Sequence, residues 1–586
     1  MTDTVSANRV STIARPSVDF PRKFCPDDLN FSTVENLTTY FDDLSTRPLD
    51  SMDDADQWLI DFSEFRSVIF EERTRLYIAM TCEMENRKNE KNYLNWVEKF
   101  DPVLKEKFQK LYEKFVECPY NDQSGTNQFA LLRKYWQNSI EIFRPENIPL
   151  ETEVSRLSQQ YQKILGSLTL EFNDREYTMQ QMILFLQDTD RANRKKAFET
   201  SLKRWQDDAE ELDEIFNKLL KIRIQIAKNA GYDDYIAYKF KSLGRFDYTP
   251  AQCLEFHEAI EKIVVPICRK AMEDRRKDMN IDQLFPWDVN TDPMGRDPLR
   301  PFEDIEQLVN GCLEIFNRVD SELGANFKHM IDLGLLDLSS RRGKAPGGFQ
   351  ITLSEVKLPF IFMNAVGTNR DLFTLLHEGG HAFHTFAARN QPIIDYRPAP
   401  MEFSEVASMA MENLSREHLD VFYNDADAAR AQYEHLAKNI FLLPWIATVD
   451  AFQHWMYSNP DHTNAERDKY WIELMQKYND GINYTGYEHA LKYRWHAQIH
   501  IFERPFYYIE YGIALLGALQ IWRNSKIDKK AAIQNYKNAL SKGGSVSIPE
   551  LFESAGIRFE FSADTIRPLM DLVGTEMKRL RELEIG

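Results

Sequence analysis

The most specific chemical pattern in the sequence is the segment His377-Glu378-Gly379-Gly380-His381. If this segment is helical, the two histidines lie one turn apart on the same face and can bind one metal ion. Glu378 is rotated by about 100° from His377 and can face a water molecule on the metal. Neutral imidazoles are good ligands of Zn²⁺, which lowers the pKa of bound water to about 7, so that a carboxylate can accept its proton. The pattern predicts one zinc ion per chain and hydrolytic chemistry.

The alternative is a surface helix that carries two histidines by chance. The adjacent Gly379 and Gly380 argue against it, because each glycine in a helix interior costs about 1 kcal/mol relative to alanine. Close packing against a second element would explain why both glycines are kept.

A third metal ligand has to come from another residue. His384 lies on the same face as His377 but about 10.5 Å away along the helix axis, too far to share a tetrahedral ion with it. A second helix is predicted from Pro400 to Glu412, and its apolar residues indicate that it is buried. Its carboxylates, which lie on roughly one face, are Glu402, Glu405 and Glu412. Periodicity alone does not choose among them.

An aromatic segment from Trp495 to Tyr511 is a further candidate. Tyr508 and Tyr511 are neighbours on one face if the segment is helical, and phenol groups can donate a hydrogen bond to an oxyanion. His500 can donate to a substrate carbonyl. Aromatic residues in helices usually belong to the core, so this segment is a weak signal on its own.

The rest of the chain must position these residues. Apolar residues recur every three or four positions over most of it, which predicts helices. A β-hairpin is predicted between Ser167 and Thr178, and two strands, 349–353 and 359–364, before the HExxH helix, which Thr368 caps. The domain boundaries that we predict are a mobile tail (1–25), an N-terminal helical lobe (26–175) and a catalytic region (176–586).

Composition excludes several functional classes. The net charge is −19, and the sequence has no block of lysine and arginine, which argues against nucleic-acid binding. It has no uncharged apolar stretch of about 18 residues, so no membrane span is predicted. The six cysteines are scattered and the first residues contain no apolar run, which favours a cytoplasmic protein with reduced thiols.

Taken together, four segments resemble the thimet oligopeptidase and oligoendopeptidase F family of zinc peptidases. The segments are Gly367–His384, Phe403–Asn413, His500–Tyr511 and Gly543–Leu551. The resemblance covers about residues 170–575, and the third segment is nearer the oligoendopeptidase F branch. It implies a mainly α, two-lobed helical body around a deep channel, with a small β-sheet near the zinc site and oligopeptides as substrates.

The resemblance also implies a role for each matching residue. His377, His381 and Glu405 are the implied zinc ligands, and Glu378 is the implied general base. Tyr511, with Tyr508, is given the oxyanion role, and His500 a contact with the substrate carbonyl. A peptide is expected to bind along strand 360–364 by edge addition.

Glu412 is assigned from its position on the second helix. It lies about 10.5 Å further along the helix axis than Glu405, so both cannot bind one ion. It is placed instead to accept the second ring N–H of a ligand histidine, as such histidines require. Glu402 is the rival of Glu405 for the metal.

The function predicted from the sequence is therefore cleavage of internal bonds in short peptides by a zinc oligoendopeptidase. One alternative is a related dipeptidyl carboxypeptidase that trims peptide C-termini, which needs a cationic group to hold the terminal carboxylate. The other is a non-catalytic peptide-binding scaffold. The oligomeric state stays open.

Overall fold

Segments in which apolar residues recur every three or four positions form helices, as their pattern predicts. The computed structural model describes residues 10, 13, 19–122, 129–179, 181–345 and 347–585. Helix accounts for 70% of the chain and strand for 4%, which confirms the prediction of a mainly α fold with small sheets.

Most elements are joined by short connections, and a longer one, residues 279–304, joins α12 to α13. The first are helices α1 (Thr38–Thr46), α2 (Met52–Cys82), α3 (Arg87–Lys99), α4 (Asp101–Glu117), α5 (Ala130–Ile142) and α6 (Asn147–Gly166) and strands β1 (Thr169–Phe172) and β2 (Arg175–Thr178). Next are α7 (Met182–Leu186), α8 (Arg191–Asp207), α9 (Ala209–Asn229), α10 (Tyr235–Ser242), α11 (Pro250–Ala259), α12 (Val265–Asp278), α13 (Ile305–Val319) and α14 (Ser321–Leu333). Strands β3 (Leu336–Ser339), β4 (Phe349–Leu353) and β5 (Leu358–Ala365) come before α15 (Asn369–Ala388) and α16 (Met401–Ser415). The last are α17 (Asp425–Ser458), α18 (Asn464–Lys477), α19 (Glu488–Lys492), α20 (Ile499–Glu503), α21 (Ile509–Ile527), α22 (Lys529–Lys542), α23 (Ile548–Ser554) and α24 (Ala563–Ile585).

Strands β1 and β2 form the predicted antiparallel hairpin. Its turn residues Asn173 and Asp174 have φ angles of 50° and 61°. Asparagine and aspartate tolerate this left-handed region better than other residues with a side chain, so the turn closes here. The hairpin packs on a small apolar core with Met182 and Ala197.

The second sheet has the strand order β3-β5-β4. Strand β3, which the sequence analysis does not predict, pairs parallel with β5, and β4 pairs antiparallel with the other side of β5. The expectation that a peptide adds to strand 360–364 is therefore wrong, because this strand is the centre of the sheet. Within the described chain, β4 presents a free edge on the side of α15.

The hydrophobic core is divided. One large cluster takes in the sheet and the helices that carry the candidate site. A separate cluster lies among the helices up to Trp136 and reaches Ile393 and Tyr396. The predicted tail lies mostly outside the described residues, although Arg22 binds Glu355 at 2.6 Å. The predicted boundaries at residues 25 and 175 stay predictions. No helix in the described part of the chain is long and apolar enough to cross a membrane.

The two glycines in HExxH let helix α15 pack closely against two different helices, α16 at Gly380 and α13 at Gly379. A Cβ atom on Gly380 would lie 2.5 Å from Cα of Ser408 and 2.6 Å from the carbonyl oxygen of Ala407. A Cβ atom on Gly379 would lie 2.6 Å from the ring of Phe316. The close packing predicted from these glycines is confirmed, and at Gly380 it is backbone against backbone.

Gly380→Ala tests this packing. A methyl group at this position meets backbone atoms that cannot rotate away, so we expect a loss of about 1–3 kcal/mol in the free energy of unfolding, measured in urea. Gly574→Ala in α24 is the matched control, since its Cβ meets nothing within 4 Å. That variant is expected to gain up to about 1 kcal/mol from helix propensity. Equal stability of the Gly380→Ala variant and the parent would contradict the packing argument.

Candidate metal centre and active site

Helix α15 positions the HExxH residues, and its first turn is fixed by a capping box. Thr368 accepts a hydrogen bond from the backbone N–H of Asp371 at 3.2 Å, and Asp371 accepts one from the N–H of Thr368 at 2.9 Å. The predicted cap is therefore confirmed. The helix continues without a break to Ala388, which places His377 and His381 one turn apart on the face toward α16.

The two histidines converge on one carboxylate of α16. Oε2 of Glu405 lies 3.3 Å from Nε2 of His377 and 3.8 Å from Nε2 of His381. Donors that surround one zinc ion tetrahedrally at about 2.0–2.1 Å are roughly 3.3 Å apart. The three atoms therefore fit zinc in both chemistry and spacing.

Glu412 lies behind this group and contacts a second histidine as well. Its Oε1 atom is 2.7 Å from Nδ1 of His377, and its Oε2 atom is 2.9 Å from Nε2 of His435. A carboxylate on Nδ1 fixes the ring orientation and leaves Nε2 of His377 free to bind a metal. His435 is itself held by stacking on Phe373 at 4.3 Å.

The group is rich in negative charge. Burial alone would lower the pKa of His377, but hydrogen bonds to Glu405 and Glu412 outweigh it and raise this pKa well above its usual range. The same histidine lowers the pKa of Glu405 to about 2, against the effect of burial. A site that holds ionised carboxylates so strongly is suited to a cation.

Glu378 faces the same space from α15 and is buried. Burial is the main reason that its pKa is raised to about 7, and the charge of Glu405 adds to the effect. His377 and a hydrogen bond from the backbone N–H of Gln350 oppose it. The edge strand β4 therefore holds this carboxylate, and its pKa suits proton transfer near neutral pH.

The other candidates on these helices lie elsewhere. Glu402, the rival third ligand, is buried near Glu510 and Arg245, and burial raises its pKa to about 8. His384 is buried, and the ring of this residue is not part of the group that could hold a metal. Cys253, Asp450 and His454 form a second compact group with suitable atoms, but they are buried away from the HExxH motif, and Asp450 already contacts His257 at 2.9 Å.

The aromatic segment lies against this site, with His500 at its beginning. Nδ1 of His500 is 2.7 Å from the side-chain nitrogen of Gln498, and the amide oxygen of Gln498 accepts from the indole N–H of Trp445 at 2.9 Å. Because indole only donates, the amide nitrogen of Gln498 must face His500. Burial lowers the pKa of His500 to about 4. The neutral ring therefore carries its proton on Nε2, where it can donate to a substrate.

The three tyrosines of this segment differ in what they face. Burial raises the pKa of Tyr511, and the charge of Glu405 raises it further. Tyr507 also responds to Glu405 and bonds to Tyr511. Tyr508 instead lies beside Trp445. The charge of Glu405 thus acts on Tyr511 and Tyr507, and the oxyanion roles of Tyr511 and Tyr508 both stay predictions.

A buried network fixes the backbone at the start of α21. Phe506 has a φ angle of 64°, a left-handed conformation that is rare and costly for a bulky residue. Its N–H donates to Gln453 at 2.8 Å, and its carbonyl accepts from Arg245. Nε of Arg245 also binds Glu510 at 3.0 Å, next to Tyr511. These contacts stabilise the bend between His500 and the two tyrosines, Tyr507 and Tyr511, that are affected by the charge of Glu405.

A cavity of about 430 Å³ opens beside His381. Its walls are α2, α15, β4, the loop before α16 and the first turn of α16, and His381 of the candidate centre is one of its lining residues. The candidate centre is therefore accessible to a small ligand, since pockets of this size hold such molecules.

Several of these residues were missed by sequence reasoning. Gln350 and His435 carry no local signal, because only the folded chain brings them to the site. Arg245 lies 265 residues before its partner Glu510. Tyr507 could have been considered, because it is one of three tyrosines within five positions. The residue at which α21 begins was not predicted, however, so the face on which Tyr507 lies could not be assigned.

Known proteins resemble this chain in sequence and structure. An oligoendopeptidase F homolog of Borreliella burgdorferi is 25% identical over 468 residues, which cover 75% of this chain and 75% of that protein. The chromosomal oligoendopeptidase F of Lactococcus lactis subsp. cremoris is 27% identical over 326 residues, 55% of this chain and 52% of that protein. The structure of PZ peptidase A with an inhibitor superimposes with a TM-score of 0.85 and 27% identity, covering 95% of this chain and 99% of the other.

Residues 184–570 match the model of Peptidase family M3. This range is well over half of the sequence and includes HExxH, Glu405, Glu412 and the tyrosine segment. The predicted resemblance is confirmed: the chain belongs to peptidase family M3.

Proposed function

We propose that the chain is a zinc-dependent oligoendopeptidase that hydrolyses internal bonds of short peptides. The observation that carries the proposal is the convergence of His377, His381 and Glu405 on one point beside Glu378, with His381 lining a cavity. The names of the similar proteins, oligoendopeptidase F among them, support peptides as the substrate class.

His377, His381 and Glu405 would hold the metal, with Glu412 orienting His377 through its Nδ1 atom. When bound, zinc acidifies water and polarises a carbonyl group. Peptide hydrolysis needs both effects, because a peptide carbonyl reacts slowly with neutral water.

Glu378 serves as the general base. It takes up a proton from the nucleophilic water and delivers it to the leaving amine, as a carboxylate held beside the reacting atoms can do in both directions. The hydrogen bond from the backbone of Gln350 holds this carboxylate in place.

Tyr511 donates its phenol proton in a hydrogen bond to the oxygen that becomes negative during attack. Tyr507 orients this phenol, and the Nε2–H of His500 contacts a neighbouring carbonyl of the peptide. We also propose a cytoplasmic location, supported by six cysteines that are all unpaired and buried.

Glu378→Gln separates catalysis from metal binding. The amide keeps the size of the side chain but cannot accept the proton, so we expect kcat to fall by at least about 10²–10⁴-fold. The zinc content, measured by plasma mass spectrometry, should stay near one ion per chain. Normal turnover by the zinc-loaded variant would contradict the assignment of Glu378 as base.

Three alanine variants of α16 test the ligand assignment by zinc titration. Glu405→Ala removes a proposed ligand and should lose zinc almost completely. Glu412→Ala removes an orienting group and should weaken zinc affinity by about 10–100-fold. Glu402→Ala is the matched control on the same helix and should retain the metal. An empty site in Glu402→Ala with zinc retained in Glu405→Ala would overturn the assignment.

Three phenylalanine variants test the tyrosines. Tyr511→Phe should lower kcat by about 10²–10³-fold with little change in KM, because the hydrogen bond forms mainly in the transition state. Tyr507→Phe should have a smaller effect, about 2–10-fold, as expected for one lost hydrogen bond. Tyr508→Phe should have the least. A larger loss in Tyr508→Phe than in Tyr507→Phe would restore the role first predicted for Tyr508.

A further inference from the structure

The cavity beside His381 is lined by an excess of positive charge. Its charged lining residues are Arg66, Lys357, Arg389, Arg397 and Asp395. Four cations thus share the wall with one carboxylate, in a chain whose net charge is −19. Such a local reversal of charge in a cavity attracts an anionic ligand group.

The single carboxylate does not neutralise this wall. Asp395 is paired with Arg66, and Arg389 is paired with Asp19 at 3.3 Å. Arg397 donates to neutral oxygens, at 3.1 Å to the hydroxyl of Ser67 and at 2.9 Å to the carbonyl of Ser354. Lys357 has no carboxylate partner among the described residues and lies over the ring of Phe20 instead, at 3.8 Å. Two cations therefore face the cavity without a bound anion.

The pKa values reflect the same excess. Burial lowers the pKa of Lys357 to about 7, and the charges of Arg397 and Arg389 add to the effect. Burial also lowers the pKa of Arg397 to about 10, in spite of Asp395. A carboxylate from a ligand would relieve this repulsion and form charge-assisted hydrogen bonds.

Strand β4 runs from the candidate base Glu378 to the cavity, so it shows on which side of the scissile bond the cavity lies. Gln350 holds the base Glu378, while Thr352 and Ser354 follow along the cavity wall. At about 3.3 Å per residue, Leu353 at the end of β4 is roughly 10 Å beyond Gln350, and Ser354 begins the turn that follows. Antiparallel strand pairs outnumber parallel ones two- to threefold. A peptide added antiparallel to this free edge places its residues before the scissile bond in the cavity.

We propose that this cavity binds an acidic side chain of the peptide, two or more residues before the scissile bond, through Lys357 and Arg397. The inference rests on the proposed peptidase function and adds a substrate preference to it. The two cations lie where a glutamate or aspartate of an edge-bound peptide would reach, and their charge selects against lysine or arginine at that position.

The test uses ten-residue peptides whose cleavage point is first mapped with the wild-type enzyme. Glutamate is then compared with glutamine at the second, third and fourth positions before the cleaved bond. We expect kcat/KM to be about tenfold higher for glutamate in at least one position. Dissociation constants on the Glu378→Gln variant, which leaves the peptide intact, should differ by a similar factor. Each peptide is also made as the C-terminal amide, to detect a contribution from the terminal carboxylate.

The preference should depend on the two cations. Lys357→Gln and Arg397→Gln are each expected to reduce the glutamate-to-glutamine ratio to about one to three. Lys530→Gln, an exposed residue of α22, is the matched control and should keep the ratio of the wild type. Arg397 also has a structural role, because it donates to backbone carbonyl groups. If Arg397→Gln fails to fold, the result for Lys357→Gln alone decides the test.

The possible failures are distinguishable. Cleavage of both peptides at equal rates, with equal binding, overturns the acidic preference and leaves the peptidase function standing. Loss of activity on amidation, without a glutamate effect, shows that the enzyme depends on the terminal carboxylate and not on an acidic side chain, which also overturns the proposal. Absence of cleavage of every peptide by the zinc-loaded wild type overturns the proposed function itself.

Discussion

The contact between helices α15 and α16 at Gly380 is the constraint on which the candidate site depends. Only a residue without Cβ lets the backbone of Ala407 and Ser408 approach this closely. The approach brings Glu405 within 3.3 Å of His377 and leaves Glu412 in contact with the other ring nitrogen. A glycine in the helix interior costs about 1 kcal/mol relative to alanine. In return, the two helices come close enough to place Glu405 beside the histidines.

The same contact creates an electrostatic problem. Three carboxylates, Glu378, Glu405 and Glu412, lie around two histidines at a partly buried position. Burial of ionised groups is unfavourable unless each has a partner. Glu412 has two, His377 and His435. Glu405 contacts the two histidines of the HExxH motif. Among the described residues Glu378 has no such histidine partner, and burial raises its pKa to about 7. A divalent cation at the centre would supply the missing positive charge, which explains why these residue types occur together.

The sequence allowed the local part of this arrangement to be predicted, because it depends on spacing within one element. His377, Glu378 and His381 are fixed by helical periodicity, the cap at Thr368 by a short motif, and the hairpin by Asn173 and Asp174. Errors arose where partners are distant in sequence. Strand β5 was expected to have a free edge because β3, more than 20 residues earlier, gave no signal, and strand order is not a local property. Among the carboxylates of α16, periodicity placed all three on one face, and only tertiary packing separates Glu402 from the others.

The direction of the tyrosines shows why such distant contacts matter for chemistry. A shift of one residue in the start of α21 would exchange Tyr507 and Tyr508, and no property of the segment itself prevents it. The left-handed conformation of Phe506 determines where the following helix begins. This conformation is stable because Gln453 binds the N–H of Phe506 and Arg245 binds its carbonyl group. The pair between Arg245 and Glu510 is fully buried, and such a pair contributes little net stability. In the proposed mechanism its effect is instead to hold the tyrosine donors in place before a substrate arrives, so that no reorganisation is needed when negative charge develops on the carbonyl oxygen.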